Sequence, residues 1–278
     1  MGKNKNEMSF LDHLEELRWH LIRSFAVIFI IACVVFIYIE PIYDNLLIVH
    51  LDGTFVTYQF FCDSFQLIGL DSDFCSLTFD DDLVNIDVTG QFTMAIWTAL
   101  ILGLILAFPY VLYEMWRFIA PGLSPKERGK SRWFIFLASF LFFIGLLFSY
   151  YVIMPMSSYF FYNFKITDQI KNTILAQSHI SLLTNTLLGI SLVFELPLVI
   201  YFLSKLGLIT PAFLRKYRKH ALVVVLILSA IITPPDVASQ IVVAIPIMLL
   251  YQVGIIISKR VEKNLKKKLK NEQSSRGI

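Results

Sequence analysis

Charged side chains are scarce in this sequence, and long apolar runs take their place. Only 16% of the 278 residues are charged, whereas a soluble domain carries about 25%. Uncharged runs occupy positions 88–113, 133–164 and 237–258, and the mean hydropathy is +0.67. About 20 apolar residues cross a bilayer as a helix. The composition therefore excludes a soluble globular domain and predicts an all-α, polytopic membrane protein.

Sequence signatures of catalysis and of metal binding are also missing. The chain contains no G-x-S-x-G element, no glycine-rich phosphate loop and no Cys/His spacing typical of a metal site. Of its five histidines, only His13 and His20 share a helical face, together with Glu16. This amphipathic segment is compatible with a helix anchored at the membrane surface or with a cation-binding face. We expect no enzyme activity, no cofactor and no bound metal.

Basic residues are absent from positions 40–90, where the chain carries ten acidic residues. Hydropathy predicts six spans, at about 19–39, 92–113, 133–154, 180–204, 221–233 and 237–258. With this division, 22 of the 24 lysines and arginines lie in the N-terminus, in two alternate loops and in the C-terminal tail. The positive-inside rule therefore places both termini and the 118–132 loop in the cytoplasm.

The acidic loop would then face the outside, where disulfides persist. It contains Cys62 and Cys75, separated by 13 positions. A bridge between these two cysteines is a hypothesis, and two free thiols are the alternative.

Glu195 lies inside the fourth predicted span and is followed by Pro197. A carboxylate at the centre of a membrane helix costs at least about 2.5 kcal/mol on insertion scales, so Glu195 must face protein or water. Three interpretations remain open: a hydrogen bond between helices, a proton or ion site, and a docking point for a polar residue of a partner's membrane helix.

Glu16 and Glu127 are two further acids of interest, both predicted on the cytoplasmic side. Glu16 lies on a short amphipathic helix expected to precede the first span. Glu127 follows Ser124 and Pro125 in the pattern of a capping box, which would start the third span. A surface charge and a helix cap are their structural interpretations. In basic surroundings, however, the two carboxylates could receive a cationic peptide, and arginine suits this role because its guanidinium binds carboxylate in a bidentate manner.

Four motifs follow one another along the chain in agreement with the predicted topology. They are His13-Leu14-Glu15-Glu16-Leu17-Arg18; Phe118-Ile119-Ala120-Pro121-Gly122-Leu123 with Glu127-Arg128; Phe194-Glu195-Leu196-Pro197; and Thr233-Pro234-Pro235-Asp236 with Ser239-Gln240 and Ala244-Ile245-Pro246. Together they resemble the TatC family, the multispanning subunit of the bacterial twin-arginine protein translocase.

The resemblance implies a receptor and core component of that translocase, which recognises twin-arginine signal peptides and exports folded proteins by means of the proton-motive force. Glu16 and Glu127 are the implied receptor carboxylates, with Arg18, Phe118 and Pro121 shaping the binding patch. Glu195 is implied in contact with single-span TatA- or TatB-type subunits. The implied outer turn consists of Pro234, Pro235 and Asp236.

The resemblance also implies a location in the bacterial inner membrane rather than an organellar one. Implied partners are twin-arginine precursors, further TatC copies and the lipid bilayer, and no nucleic acid. We expect one transmembrane domain at 1–262, with an outer-loop insertion at about 50–87, and a basic, disordered tail at 263–278.

A proton-coupled transporter that uses Glu195 is the alternative function. Such folds usually show internal repeats, and no convincing repeat relates the two halves of this chain. A purely structural scaffold is a third class, but it would not account for the acids predicted on the cytoplasmic face.

Overall fold

The computed structural model describes residues 10–67, 75, 83–119, 131–167, 169, 173–232 and 237–275. Within these residues the chain forms helices joined by turns and short irregular stretches, with one isolated bridge between Val84 and Leu175. The helices are α1 (Phe10–Ile37), α2 (Ile39–Ile42), α3 (Val56–Leu67), α4 (Gly90–Ile119), α5 (Ser131–Phe148), α6 (Met154–Asn163), α7 (Ala176–Phe194), α8 (Leu196–Lys205), α9 (Pro211–Lys216), α10 (Arg218–Ile232) and α11 (Val237–Ser275). The predicted all-α class is confirmed.

Among the described residues, five helical stretches are long and apolar enough to cross a membrane. They are Leu14–Ile37, Gly90–Ile119, Trp133–Asn163, Ala176–Lys205 and Gln240–Lys267. The remaining predicted span corresponds to α10, which has 15 residues. At 1.5 Å per residue this helix is only about 22 Å long, shorter than the roughly 30 Å of a typical hydrocarbon core. The chain is therefore a polytopic membrane protein in which one span is short, as the sequence predicted.

Two expected boundaries differ from those in the structure. The predicted surface helix and first span form a single uninterrupted helix, α1, because no glycine or proline breaks Phe10–Ile37. The tail from residue 263, expected to be disordered, continues α11 without a break to Ser275. Lysine and glutamate are good helix formers, and the i,i+4 ion pair between Glu262 and Lys266 supports this extension.

Packing divides the chain into two compact units, and the first comprises Met1–Val49, Val84–Phe140 and Leu175–Thr184. Its main contact is between α1 and α4. Gly103 allows this contact, because a Cβ atom there would lie 2.8 Å from Ala32 Cβ. The other side of α1 exposes large apolar side chains such as Phe25 and Phe29, as expected for a helix surface in contact with lipid.

The second unit comprises His50–Leu83, Leu141–Ile174 and Asn185–Ile278. Its core joins residues of α7, α10 and α11 with Ile153, and includes Ile190, Phe194, Val225, Val243 and Ile247. A smaller cluster brings Ile200 and Leu214 against Tyr251 and Ile255. The Tyr251 hydroxyl donates a hydrogen bond to the Leu214 carbonyl at 2.7 Å, which fixes α9 to α11.

Helix α3, within the expected outer-loop insertion, is also anchored in the second unit. The Thr57 hydroxyl donates to the Tyr151 carbonyl at 2.6 Å, and the buried Tyr58 hydroxyl donates to the carbonyls of His50 and Pro155 at 3.2 and 3.0 Å. Burial raises the pKa of the Tyr58 phenol, which keeps it protonated as a donor. The loop is therefore a packed element of the fold at this point.

Candidate functional site

The candidate site lies where the N-terminal half of α1 meets the C-terminal end of α4, within the first unit. Helix α1 carries Glu16 and His20, and α4 carries Glu114 and Phe118. The His20 Nδ1 atom is hydrogen-bonded to Glu114 Oε2. Both residues are buried, with only 6% and 2% of their surfaces exposed. A buried charged side chain requires such a partner, because desolvation without compensation costs several kcal/mol, on the order of 3–5 when one partner of a pair is removed.

The second oxygen of Glu114 is satisfied from its own helix. Tyr110 donates its hydroxyl to Glu114 Oε1 at 3.0 Å, and Arg117 Nη1 lies 3.5 Å from the same atom. These residues stand four positions before and three positions after Glu114, so the helix brings them to one face. The Arg117 guanidinium also lies 5.7 Å from the centre of the Tyr113 ring. Both carboxylate oxygens of Glu114 are therefore occupied.

Glu16 has a different environment. Its Oε1 atom lies 4.0 Å from His20 Nε2, and about a third of its side chain (35%) is exposed. Its Oε2 atom is buried and has no hydrogen-bond partner among the residues that the structure describes. A buried carboxylate oxygen without a donor is costly, so Glu16 offers an acceptor that a ligand's N–H groups would satisfy.

The structure brings some of the predicted site residues together. The Phe118 ring packs edge-to-face against the His20 ring, with centroids 6.3 Å apart. His20 therefore lies next to both Phe118 and Glu16. Arg18 is exposed on α1, two positions beyond Glu16, and i,i+2 residues do not face each other on a helix. Pro121 and Glu127 lie outside the described residues.

The sequence did not identify Glu114 as a site residue. The predicted second span ends at residue 113, which leaves Glu114 and Arg117 beyond the membrane. In α4 the helix continues to Ile119, and this turns Glu114 inward. The spacing of Tyr110, Glu114 and Arg117 at i, i+4 and i+7 was the available signal, since it places three polar groups on one face of a continuing helix.

The cation-binding face was one alternative for the segment with His13, Glu16 and His20, and it stays a hypothesis. His20 points to Glu114 and is buried, and the side chain of His13 lies outside the described residues. In the described part of the chain no group of three or more His, Cys, Asp or Glu side chains is arranged to hold a metal ion.

Glu195 lies at a break between α7 and α8. Because Pro197 has no N–H group, it cannot continue the helical hydrogen-bond pattern, and the new helix begins at Leu196. Glu195 is 6% exposed, and both of its carboxylate oxygens are buried. The backbone of Phe142 lies beside the carboxylate, but no side chain among the described residues donates a hydrogen bond to it. The predicted outer turn, Pro234, Pro235 and Asp236, lies outside the described residues.

The structure joins Cys62 and Cys75 in a disulfide whose Cα atoms are 5.0 Å apart.

Comparison with known proteins places these features in a family. The family model described as Sec-independent protein translocase protein (TatC) matches residues 12–246. The TatC protein of Blattabacterium sp. subsp. Periplaneta americana is 40% identical over 264 residues, which cover 95% of this chain and 99% of the relative. The TatCy protein of Bacillus subtilis is 32% identical over 257 residues, which cover 91% of this chain and 90% of the relative.

Two solved structures are similar to this chain. A crystal structure of the twin arginine translocase receptor TatC has a TM-score of 0.68 and 27% identity, and the match covers 90% of this chain and 99% of that one. A second crystal structure of that receptor, in DDM, has a TM-score of 0.71 and 28% identity, covering 88% of this chain and 99% of the other. The chain belongs to the TatC family and is a component of a Sec-independent protein translocase.

Proposed function

We propose that this protein is the receptor and core component of a twin-arginine translocase. It recognises twin-arginine signal peptides and, with the proton-motive force, exports folded proteins across the bacterial inner membrane without a catalytic reaction or a cofactor. Family membership supports the translocase role, and the similar crystal structures are described as those of a twin-arginine translocase receptor. The Lys and Arg distribution supports a cytoplasmic location for both termini and for the recognition surface.

The observation that carries the receptor role is the open acceptor at Glu16. Its buried Oε2 atom has no donor among the described residues, while its neighbour Glu114 is fully engaged. A guanidinium presents N–H groups in a fixed fork that matches a carboxylate. Binding of one signal-peptide arginine would therefore satisfy Glu16, and Phe118 would flank the arginine with an aromatic surface.

The remaining recognition residues follow from the family motif. We propose that Glu127 receives the second arginine, and that Arg18 and Pro121 shape the patch. Two carboxylates then match two guanidinium groups in number and charge. A single carboxylate would not distinguish a pair of arginines from one arginine.

Glu195 is proposed as the contact for a single-span TatA- or TatB-type subunit. No side chain among the described residues donates to its two buried carboxylate oxygens, and an incompletely paired carboxylate inside a membrane is costly, so an added hydrogen-bond donor would be favourable. A polar side chain on a partner's membrane helix would supply that donor. Further TatC copies are proposed as additional partners.

Binding of a synthetic twin-arginine signal peptide to the purified protein tests the receptor role. We expect Glu16→Gln and Glu127→Gln each to weaken binding, since glutamine keeps the size of the side chain but loses its charge. Glu15→Gln is the matched control, because Glu15 is an exposed neighbour on the same helix and the charge change is identical. A peptide with two lysines in place of the arginines should bind weakly to every form. Unchanged affinity in the Glu16→Gln, Glu127→Gln double variant would refute the assignment.

A further inference from the structure

The buried pair of His20 and Glu114 has no role in the recognition described so far. It joins residues 94 positions apart on two different membrane helices, and His20 Nε2 lies 4.0 Å from Glu16 Oε1. Burying two charged or polar groups in this way requires a complete set of partners, and Glu114 has one. Glu114 accepts hydrogen bonds from His20 and Tyr110, and the Arg117 guanidinium stands beside it. This carboxylate is therefore unavailable to a ligand.

The bond to Glu114 fixes the orientation of the His20 ring. A carboxylate can only accept, so the Nδ1 atom must carry the proton that is shared with Glu114. The other nitrogen, Nε2, then points towards Glu16 and lies 4.0 Å from its Oε1 atom. The ring face and edge are also held, because Phe118 packs against them with a centroid distance of 6.3 Å.

His20 is consequently in contact with two of the recognition side chains, Glu16 and Phe118. It stands beside Glu16 on α1 and against Phe118 on α4, and Glu114 holds it in place. Loss of the Glu114 bond would free the ring to rotate, and the relative position of Glu16 and Phe118 would then vary. A site that must match a rigid planar guanidinium loses affinity when its carboxylate is not fixed.

We propose that His20 and Glu114 are positioning residues for signal-peptide recognition: Glu114 fixes the His20 ring, and the ring holds Glu16 and Phe118 in the arrangement that receives an arginine. This inference rests on the proposed function, because it assigns a role through Glu16. Neither residue contacts the peptide.

Peptide affinity in a double-mutant cycle tests the proposal. Glu114→Gln keeps the shape of the side chain, so we expect the protein to fold. With its oxygen accepting from Tyr110, its amide N–H group faces His20 Nδ1, which must then accept. The ring therefore takes the other tautomer, and its Nε2–H group competes with an arginine for Glu16. We expect this variant to bind the twin-arginine peptide about tenfold more weakly, comparable with the effect of residues that orient metal ligands. In a Glu16→Gln background the same change should cause no further loss, because Glu114 acts through Glu16. Glutamine at position 16 keeps a neutral acceptor, so the residual binding remains measurable at high peptide concentration.

His20→Asn provides a second, independent variant. The asparagine amide takes the place of Nδ1 and can still donate to Glu114, but it presents nothing towards Glu16 or Phe118. We expect this variant to retain the melting temperature of the wild type in detergent and to lose about as much peptide affinity as Glu114→Gln. His220→Asn, a change at an exposed histidine, is the matched control and should leave binding unchanged.

The outcomes separate this inference from the proposed function. If Glu16→Gln weakens binding but Glu114→Gln and His20→Asn bind as tightly as the wild type, the positioning role is wrong and the receptor role stands. Equal losses from Glu114→Gln in both backgrounds would also overturn it, since that result indicates a general structural effect. If Glu16→Gln binds like the wild type, the receptor role of Glu16 fails, and the positioning role fails with it.

Discussion

Replacing Gly103 with alanine tests how closely α1 and α4 approach each other. A Cβ atom at this position would lie 2.8 Å from Ala32 Cβ and 2.9 Å from the Cα and N atoms of Ala32. Because two of these three atoms belong to the backbone, no side-chain rotation relieves the overlap, and the helices must move apart. Overpacking costs about 1–3 kcal/mol, and the change from glycine to alanine returns about 1 kcal/mol of helix propensity. We expect Gly103→Ala to lower the free energy of unfolding by up to about 2 kcal/mol.

Thermal unfolding of the purified protein in detergent measures this loss. Gly189→Ala is the matched control, because it makes the same change inside α7. There the atoms nearest the added Cβ all belong to the Ile232 side chain, at 2.7 to 3.5 Å, and a side chain can adjust. We expect the control to melt close to the wild type and Gly103→Ala to melt lower.

A compensating change makes the test of the helix contact stricter. Ala32→Gly removes only one of the three overlapping atoms, so in the Gly103→Ala background it should restore part of the stability at most. If Gly103→Ala melts as high as the Gly189→Ala control, which carries the same gain in helix propensity, the close contact between α1 and α4 is wrong. Full rescue by Ala32→Gly would show that the backbone atoms do not limit the approach.

Three further predictions concern other parts of the molecule. Tyr58→Phe removes the donor to two buried carbonyls and should destabilise the protein by about 1–3 kcal/mol in thermal unfolding. The control Tyr38→Phe, at an exposed tyrosine, should not change the stability, and equal melting temperatures of the two variants would contradict the anchoring of α3. Glu195→Ala should reduce co-purification of single-span partner subunits while signal-peptide binding persists. Loss of signal-peptide binding with unchanged co-purification would reject Glu195 as a partner contact. Alkylation of the denatured protein followed by mass analysis should detect one free cysteine before reduction and three after it, since Cys62 and Cys75 are joined; equal counts would exclude the bridge.

Apolar runs and prolines made much of the fold predictable. An uncharged run of membrane length has few alternatives to a helix, because backbone polar groups in lipid must be satisfied within the segment. The break beside Glu195 was not predicted, since the fourth span was expected to run without interruption through 180–204, but Pro197 was its available signal because it cannot donate a backbone hydrogen bond. These are local effects, and a single stretch of sequence contains all the information that they require.

The internal construction of the site was much less predictable. His20 and Glu114 are separated by 94 residues, and their pairing depends on which faces of α1 and α4 meet. Hydropathy also placed Glu114 just beyond the end of a span, where a charge needs no partner. Only the packing of the two helices shows that this carboxylate is buried. The anchoring of α3 through Tyr58 was hidden for a similar reason, because it depends on contacts with residues near 151 and 155.

The uninterrupted course of α11 has a mechanical consequence. Val261 is still buried in the second unit, and the helix continues to Ser275. The 14 residues between them form a rod of about 21 Å at 1.5 Å per residue. A rigid rod acts as a lever arm: a tilt of about 10° at its base would displace its tip by roughly 4 Å, given that length. A fluorophore or spin label near Ser275 would therefore amplify small rotations of the last membrane helix into a measurable displacement.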